Sequence, residues 1–139
     1  MNSMHRTAGF SRGANAYANV GVESGVMSAD PHQLILMLFD GVEVVIRNAR
    51  LHMEKGNVVE KGKSISKAID IVNQGLLAAL DREQGGEVAE NLARIYEYVS
   101  NLLLRANLHN DLTALSEAEH LLAQIASAWR DIGLHAKAS

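Results

Sequence analysis

Residues 28–56 read SADPHQLILMLFDGVEVVIRNARLHMEKG. Both ends of a helix are written there. Asp30 can cap the first turn with its carboxylate, Pro31 suits the first helical position, and Gln33 stands where a capping box places its amide. Gly56 tolerates the left-handed conformation that follows a last helical residue. Between them lie six consecutive apolar residues, Leu34 to Phe39. On a wheel of about 3.6 residues per turn, two apolar faces emerge. Leu34, Leu38, Val42, Val45, Ala49 and Met53 form a core stripe at spacings of three and four. Met37, Val44 and Leu51, spaced by seven, lie about 100° or more away from it. One neighbour cannot bury both faces. Either the helix is central to a bundle, or its second face is a docking surface used part of the time.

The flanking sequence supplies the partners. Residues 1–27 are interrupted by Gly9, Gly13, Gly21 and Gly25 and have too little apolar surface to fold alone. They nevertheless carry Phe10, Tyr17, Val20, Val22, Val26 and Met27, and read as a flexible arm with apolar anchors. After Gly56, Asn57 and Glu60 form a second capping box opening helix 2. Its stripe is Val58, Ile65, Ala68, Ile69, Val72, Leu76 and Leu80. Ile71 and Leu77 fall roughly 120° to either side of that stripe.

The pair Gly85–Gly86 ends helix 2, and helix 3 runs from Glu87 to about Leu108. Its stripe is Val88, Leu92, Ile95, Tyr96, Val99, Leu103 and Ala106, with Tyr98, Leu104 and Leu108 off it. A turn from Asn107 to Asp111 leads into helix 4, capped by Asp111 and ending near Ile132. Leu115, Ala118, Leu122, Ile125, Ala126 and Trp129 point inward there. The expectation is an all-α domain over residues 28–134, an antiparallel up-down-up-down four-helix bundle, with residues 135–139 as a frayed tail.

Composition narrows the functional classes. The chain has 139 residues, enough for one core. Aromatic residues make up only 4% against 47% hydrophobic, so the core is aliphatic. A net charge of −3 without a basic patch argues against nucleic acid binding. There is no cysteine, which excludes disulfides, zinc–thiolate sites and thiol catalysis. No signal-peptide core and no run of about 18 apolar residues is seen, so membrane insertion is not expected and a cytoplasmic location is.

The residues do not assemble an enzyme. Glu117 and His120 make one Glu-x-x-His, the motif of di-metal bundles, but they lie opposite Leu115, Leu122 and Trp129 and have no second copy. The six histidines are scattered, and only His52 sits near a core stripe. Asp40 and Glu43 face away from the main stripe with Arg47 a turn on, as salt-bridged surface groups do. No catalytic residue, metal ligand or cofactor site is expected. A ligand- or metal-binding bundle of the cytochrome type is the alternative, disfavoured because inward ligands are missing.

At this point a resemblance enters. AYANVGVESGVMSADPHQLILMLFDG, KGNVVEKGKSISKAIDIVNQGL, GGEVAENLARIYEYV and ANLHND are similar to the flagellin-specific export chaperone family, FliS. The likeness spans residues 14 to about 132. Its specific pieces are Tyr17, the cap at Ser28–Pro31, the MLFDG string at Met37–Gly41 and the GGE-x-AENL-x-x-x-Y string at Gly85–Tyr96. Asp30 stands where a Ser is usual before this Pro, and Ala14 where a bulkier aliphatic is common.

The resemblance implies a cytoplasmic, non-enzymatic helical bundle. Its partner is the disordered C-terminal segment of flagellin, which it keeps from polymerising early and helps deliver to a component of the flagellar type III export gate. The resemblance also implies that the arm around Tyr17 occupies a groove and docks to the gate. Read with it, the partner-binding residues are Tyr17 and Val20 in the arm, Met37, Val44 and Leu51 on helix 1, and Ile71, Leu77, Tyr98 and Leu104 outside the stripes of helices 2 and 3. Monomer and homodimer both stay open.

Overall fold

The computed structural model describes residues 30–138, with side chains through Gly133. Tyr17, Val20 and the rest of the arm lie outside the described residues. Within them stand four helical elements and no strand. Helix α1 is Pro31–Lys55, α2 is Val58–Asp70 continued by a π-helical segment Ile71–Leu77, α3 is Arg82–His109 and α4 is Leu112–Ala138.

The caps explain most of these boundaries. The Asp30 carboxylate accepts the Gln33 backbone N–H at 2.8 Å, with Pro31 following as first helical residue. At the other end of α1, Gly56 adopts φ 73°. The amides of Gly56 and Asn57 return to the carbonyls of Met53 and His52, satisfying the last turn. Asn57 does not cap α2 as expected; its side chain lies 3.4 Å from His52 Nδ1 instead. Asp111 caps α4 by accepting the Ala114 N–H at 3.0 Å.

Cross-helix contacts fix the direction of each helix. Along α1 and α4, Trp129 meets His32, Arg130 meets Asp40, and Glu119 meets Arg50, so the two run antiparallel. Along α2 and α3, Lys61 meets Asn107 and Asn73 meets Ser100, in opposite order again. Tyr98 meets Glu117 across the α3–α4 turn. α1 packs against α2 and α4, and α3 packs against the same two, so α1 and α3 occupy diagonal corners. The core is aliphatic, built on Leu38, Val42 and Ile46 of α1, Ile65, Val72 and Leu76 of α2, Val99 and Leu103 of α3, and Leu115 of α4.

Three expectations are corrected. Helix 2 does not run to the glycine pair. It ends at Leu77, and α3 begins at Arg82, where the Asp81 carboxylate accepts the Gln84 N–H at 3.1 Å. Gly86, at φ 54° and ψ −129°, kinks α3 from inside. The stripe of α3 also differs from the expected one over its first turns. Ala89 and Ala93 take the inward positions, while Val88 is exposed and Leu92 and Ile95 are only partly buried. Val58 is exposed too, because it opens α2 beyond the end of the core.

The third correction concerns Ile71, expected outside the stripe and found 1% exposed. The π segment is the reason. Five residues apart, Ile71 and Leu76 would point about 140° apart on an α-helix of 3.6 residues per turn. In the wider i→i+5 turn they share a face, and both enter the core. α4 also continues past Ile132, to Ala138.

Candidate interaction surface

The residues expected to meet a partner fall into three groups. Val44 and Leu51 are 50% and 51% exposed on the outer side of α1, and Met37, on the same row, is partly buried against the core. Tyr98 and Leu104 are 47% and 48% exposed on α3. Ile71 is a core residue and Leu77 packs partly against the core, so neither adds free apolar surface. The structure does not bring the exposed ones together. α1 and α3 are diagonal, and Tyr98 and Leu104, six residues apart, are separated by about 120° around α3. Tyr98 is further tied down: its hydroxyl donates to Glu117 at 2.7 Å, and that bond raises the phenol pKa above the ordinary tyrosine value.

Among the described residues, concavities with apolar linings lie between the helices, and the sequence pattern does not mark them. The first is an apolar pocket of about 350 Å³ at the end of the bundle where α1 begins. Pro31, His32 and Ile35 form one side, Leu76 and Leu80 a second, Leu92 and Tyr96 a third, and Trp129 a fourth. Every helix contributes. Trp129 closes the pocket toward α1 in two ways. Its ring stacks on His32 with centroids 4.9 Å apart and planes 11° from parallel, and its indole N–H donates to the His32 carbonyl at 3.1 Å. The His32 Nε2 is buried and has no hydrogen-bond partner. Burial raises the Tyr96 pKa above the ordinary tyrosine value.

The second is a groove of about 560 Å³ between α1 and α4. Phe39, Val42, Ile46, Leu122 and Ala126 make its floor. Ion pairs stand at both ends. Arg130 meets Asp40 at 2.8 Å, and the Arg50 guanidinium grips both oxygens of Glu119 at 2.9 and 3.2 Å. The expected pairing of Asp40 with Arg47 is therefore replaced by a bridge across helices, while Glu43 does pair with Arg47 at 3.1 Å.

The chemistry on offer is that of apolar side-chain capture. Glu117 and His120 are both exposed, and Glu117 serves as acceptor for Tyr98. Among the described residues, no group of three His, Asp or Glu is gathered as a metal site would need. Among them also, no helix is long and apolar enough to cross a membrane. The sequence does not mark the pocket because Leu76, Leu80, Leu92, Tyr96, Ile125 and Trp129 read as ordinary core, and Pro31 and His32 as the helix start. The one hint is that Tyr96 and Trp129, two of very few aromatic residues, both project at that end.

Comparison with known proteins gives a consistent picture. The family described as flagellar protein FliS matches residues 13–136 of the chain. The flagellar secretion chaperone FliS of Salmonella typhimurium is 56% identical over 120 residues, covering 86% of this chain and 89% of that protein. The Escherichia coli flagellar secretion chaperone FliS is 48% identical over 120 residues, covering 86% and 88%. The Bacillus subtilis protein of the same name is 31% identical over 108 residues, covering 78% and 79%.

Proposed function

The chain belongs to the FliS family of flagellar secretion chaperones, and from that membership we propose that it is a cytoplasmic, non-enzymatic chaperone for the C-terminal segment of flagellin. It holds that segment before assembly, prevents early polymerisation and assists delivery to the flagellar type III export gate. The arm around Tyr17 and Val20 serves the gate-docking step.

The observation that best supports this reading is the distribution of apolar surface. Val44 and Leu51 on α1, Leu104 on α3 and the pocket beneath Trp129 lie on separate sides of the bundle. A segment that orders on binding buries about 1,000–3,000 Å² and loses some 2–5 kcal/mol to ordering. At about 25 cal/mol per Å² of apolar area, one small patch cannot offset that loss and leave useful affinity. A tail wrapped over several helices can.

Charge placed on this surface tests the reading. Val44→Glu and Leu104→Glu should keep the helical spectrum and melting temperature of the wild type and bind a labelled flagellin C-terminal segment more weakly. If both bind as the wild type does, the flagellin segment does not use these faces. If both melt early, those side chains serve the fold.

A further inference from the structure

Gly62 stands in the second turn of α2 with ordinary helical backbone. Gly56 and Gly86 differ from it in having positive φ, and Gly133 gives room to the His32 ring. A methyl added at Gly62 would meet, among the described residues, only Asn107 Oδ1 at 3.9 Å, which is ordinary contact. Glycine weakens a helix interior relative to alanine, so it costs stability here and the described fold gains no packing from it. Its Cα lies in a concavity of about 520 Å³ along α2 that reaches Asn107 of α3. Lys63, Ser66 and Lys67 line it, with Glu60 as its one acidic side chain. Exposed apolar side chains stand beside it. Val59, three residues before Gly62, is about 60° from it around α2. Leu104 and Leu108 flank Asn107 on α3.

We propose that this concavity seats an acidic stretch of the flagellin C-terminal segment, whose backbone lies against Gly62 while its apolar side chains rest on Val59, Leu104 and Leu108. The identity of that ligand rests on the chaperone reading above. Charge chooses among the occupants. The chain as a whole carries −3, yet the lining here sets two exposed lysines against one glutamate, and Glu60 is already 3.5 Å from Lys63. A second copy docked about a two-fold axis would place the same lysines opposite each other. Residues 1–29 carry Arg6 and Arg12 against Glu23, so they match a basic lining no better. An acidic segment is attracted, and the missing Cβ lets its backbone come closer to α2 than any other residue at position 62 would allow. That close approach brings its side chains within reach of Val59 and the two leucines. Gly62 thus gives up stability of the free chaperone in favour of contact in the complex.

Gly62→Ala tests this, because it should move stability and binding in opposite directions. The expected result is a melting temperature above that of the wild type and about tenfold weaker binding of a synthetic flagellin C-terminal segment in titration calorimetry. A double variant, Lys63→Glu with Lys67→Glu, should keep the helical spectrum, bind more weakly, and lose the weakening by added salt that the wild type shows. Wild-type affinity in Gly62→Ala, a lower melting temperature in it, or wild-type binding that salt leaves unchanged overturns the assignment. A free wild type that is dimeric by light scattering, with Gly62→Ala monomeric, gives the face to a second copy and overturns it. Faster amide exchange of residues 1–29 in Gly62→Ala than in the wild type gives the face to that segment and overturns it too. A wild type that does not bind the flagellin segment overturns the chaperone reading and this assignment together. Binding by the wild type with equal binding by Gly62→Ala overturns the assignment alone.

Discussion

Lys61 is buried, and its ammonium makes two hydrogen bonds. It donates to the Asn107 carbonyl at 3.0 Å and to the side-chain oxygen of Asn110. Both acceptors belong to the C-terminal end of α3, where the helix dipole favours a cation. The packing of α2 on α3 sets Lys61 apart from Lys63, which is exposed. Lys61→Ala leaves the Asn107 carbonyl without its donor and should lower stability by about 1–3 kcal/mol, read in thermal or urea melts. Lys63→Ala is the contrast, since its contact with Glu60 at 3.5 Å is exposed, and it should melt as the wild type does. Tyr96 gives a pH dependence. Burial raises its folded-state pKa above the unfolded value of about 10. The unfolded chain therefore releases that proton first, so the contribution is complete below pH of about 10 and is lost as pH climbs above it. The urea midpoint should fall above that pH in the wild type, and fall less steeply in Tyr96→Phe.

At the level of elements, the sequence was clearest where a boundary rests on one side chain. Asp30, Gly56 and Asp111 do what their positions indicate, because an N-cap or a left-handed C-terminal residue is a local matter. The α2–α3 boundary went wrong because the glycine pair is the more conspicuous signal. The cap-box spacing of Asp81 and Gln84, four residues earlier than Gly85 and present in the sequence, marks the true start. The π segment lay out of reach, since a wheel with a constant angle per residue cannot contain it, and the placement of Ile71 failed with it. One joint between elements depends on a glycine. At Gly133 of α4 an added methyl would collide with the His32 ring of α1. Gly133→Ala should push that ring off Trp129 and destabilise the bundle by about 1–3 kcal/mol. Because Trp129 is the sole tryptophan, its fluorescence reports the displacement directly. An unchanged spectrum would mean that the ring has another place to rest.

Over the whole molecule, the antiparallel bundle was legible from four amphipathic periods and short connections. The apolar pocket was not, because it exists only where Pro31, Leu80, Leu92 and Trp129, from four helices, converge. Helical periodicity says which residues face inward and is silent on whether the inward faces meet without a gap. The half-exposed residues Val44, Leu51 and Leu104 were legible one at a time, but their dispersal over diagonal helices was not. That dispersal gives the central claim its form: one long, flexible ligand laid across several faces. Titration calorimetry of the full chain with a synthetic flagellin C-terminal segment, repeated over a range of temperatures, measures this most directly. The expected result is saturable binding with a negative heat-capacity change, of the size produced by burying about 1,000–3,000 Å². No binding, or binding with a heat-capacity change near zero, would contradict it.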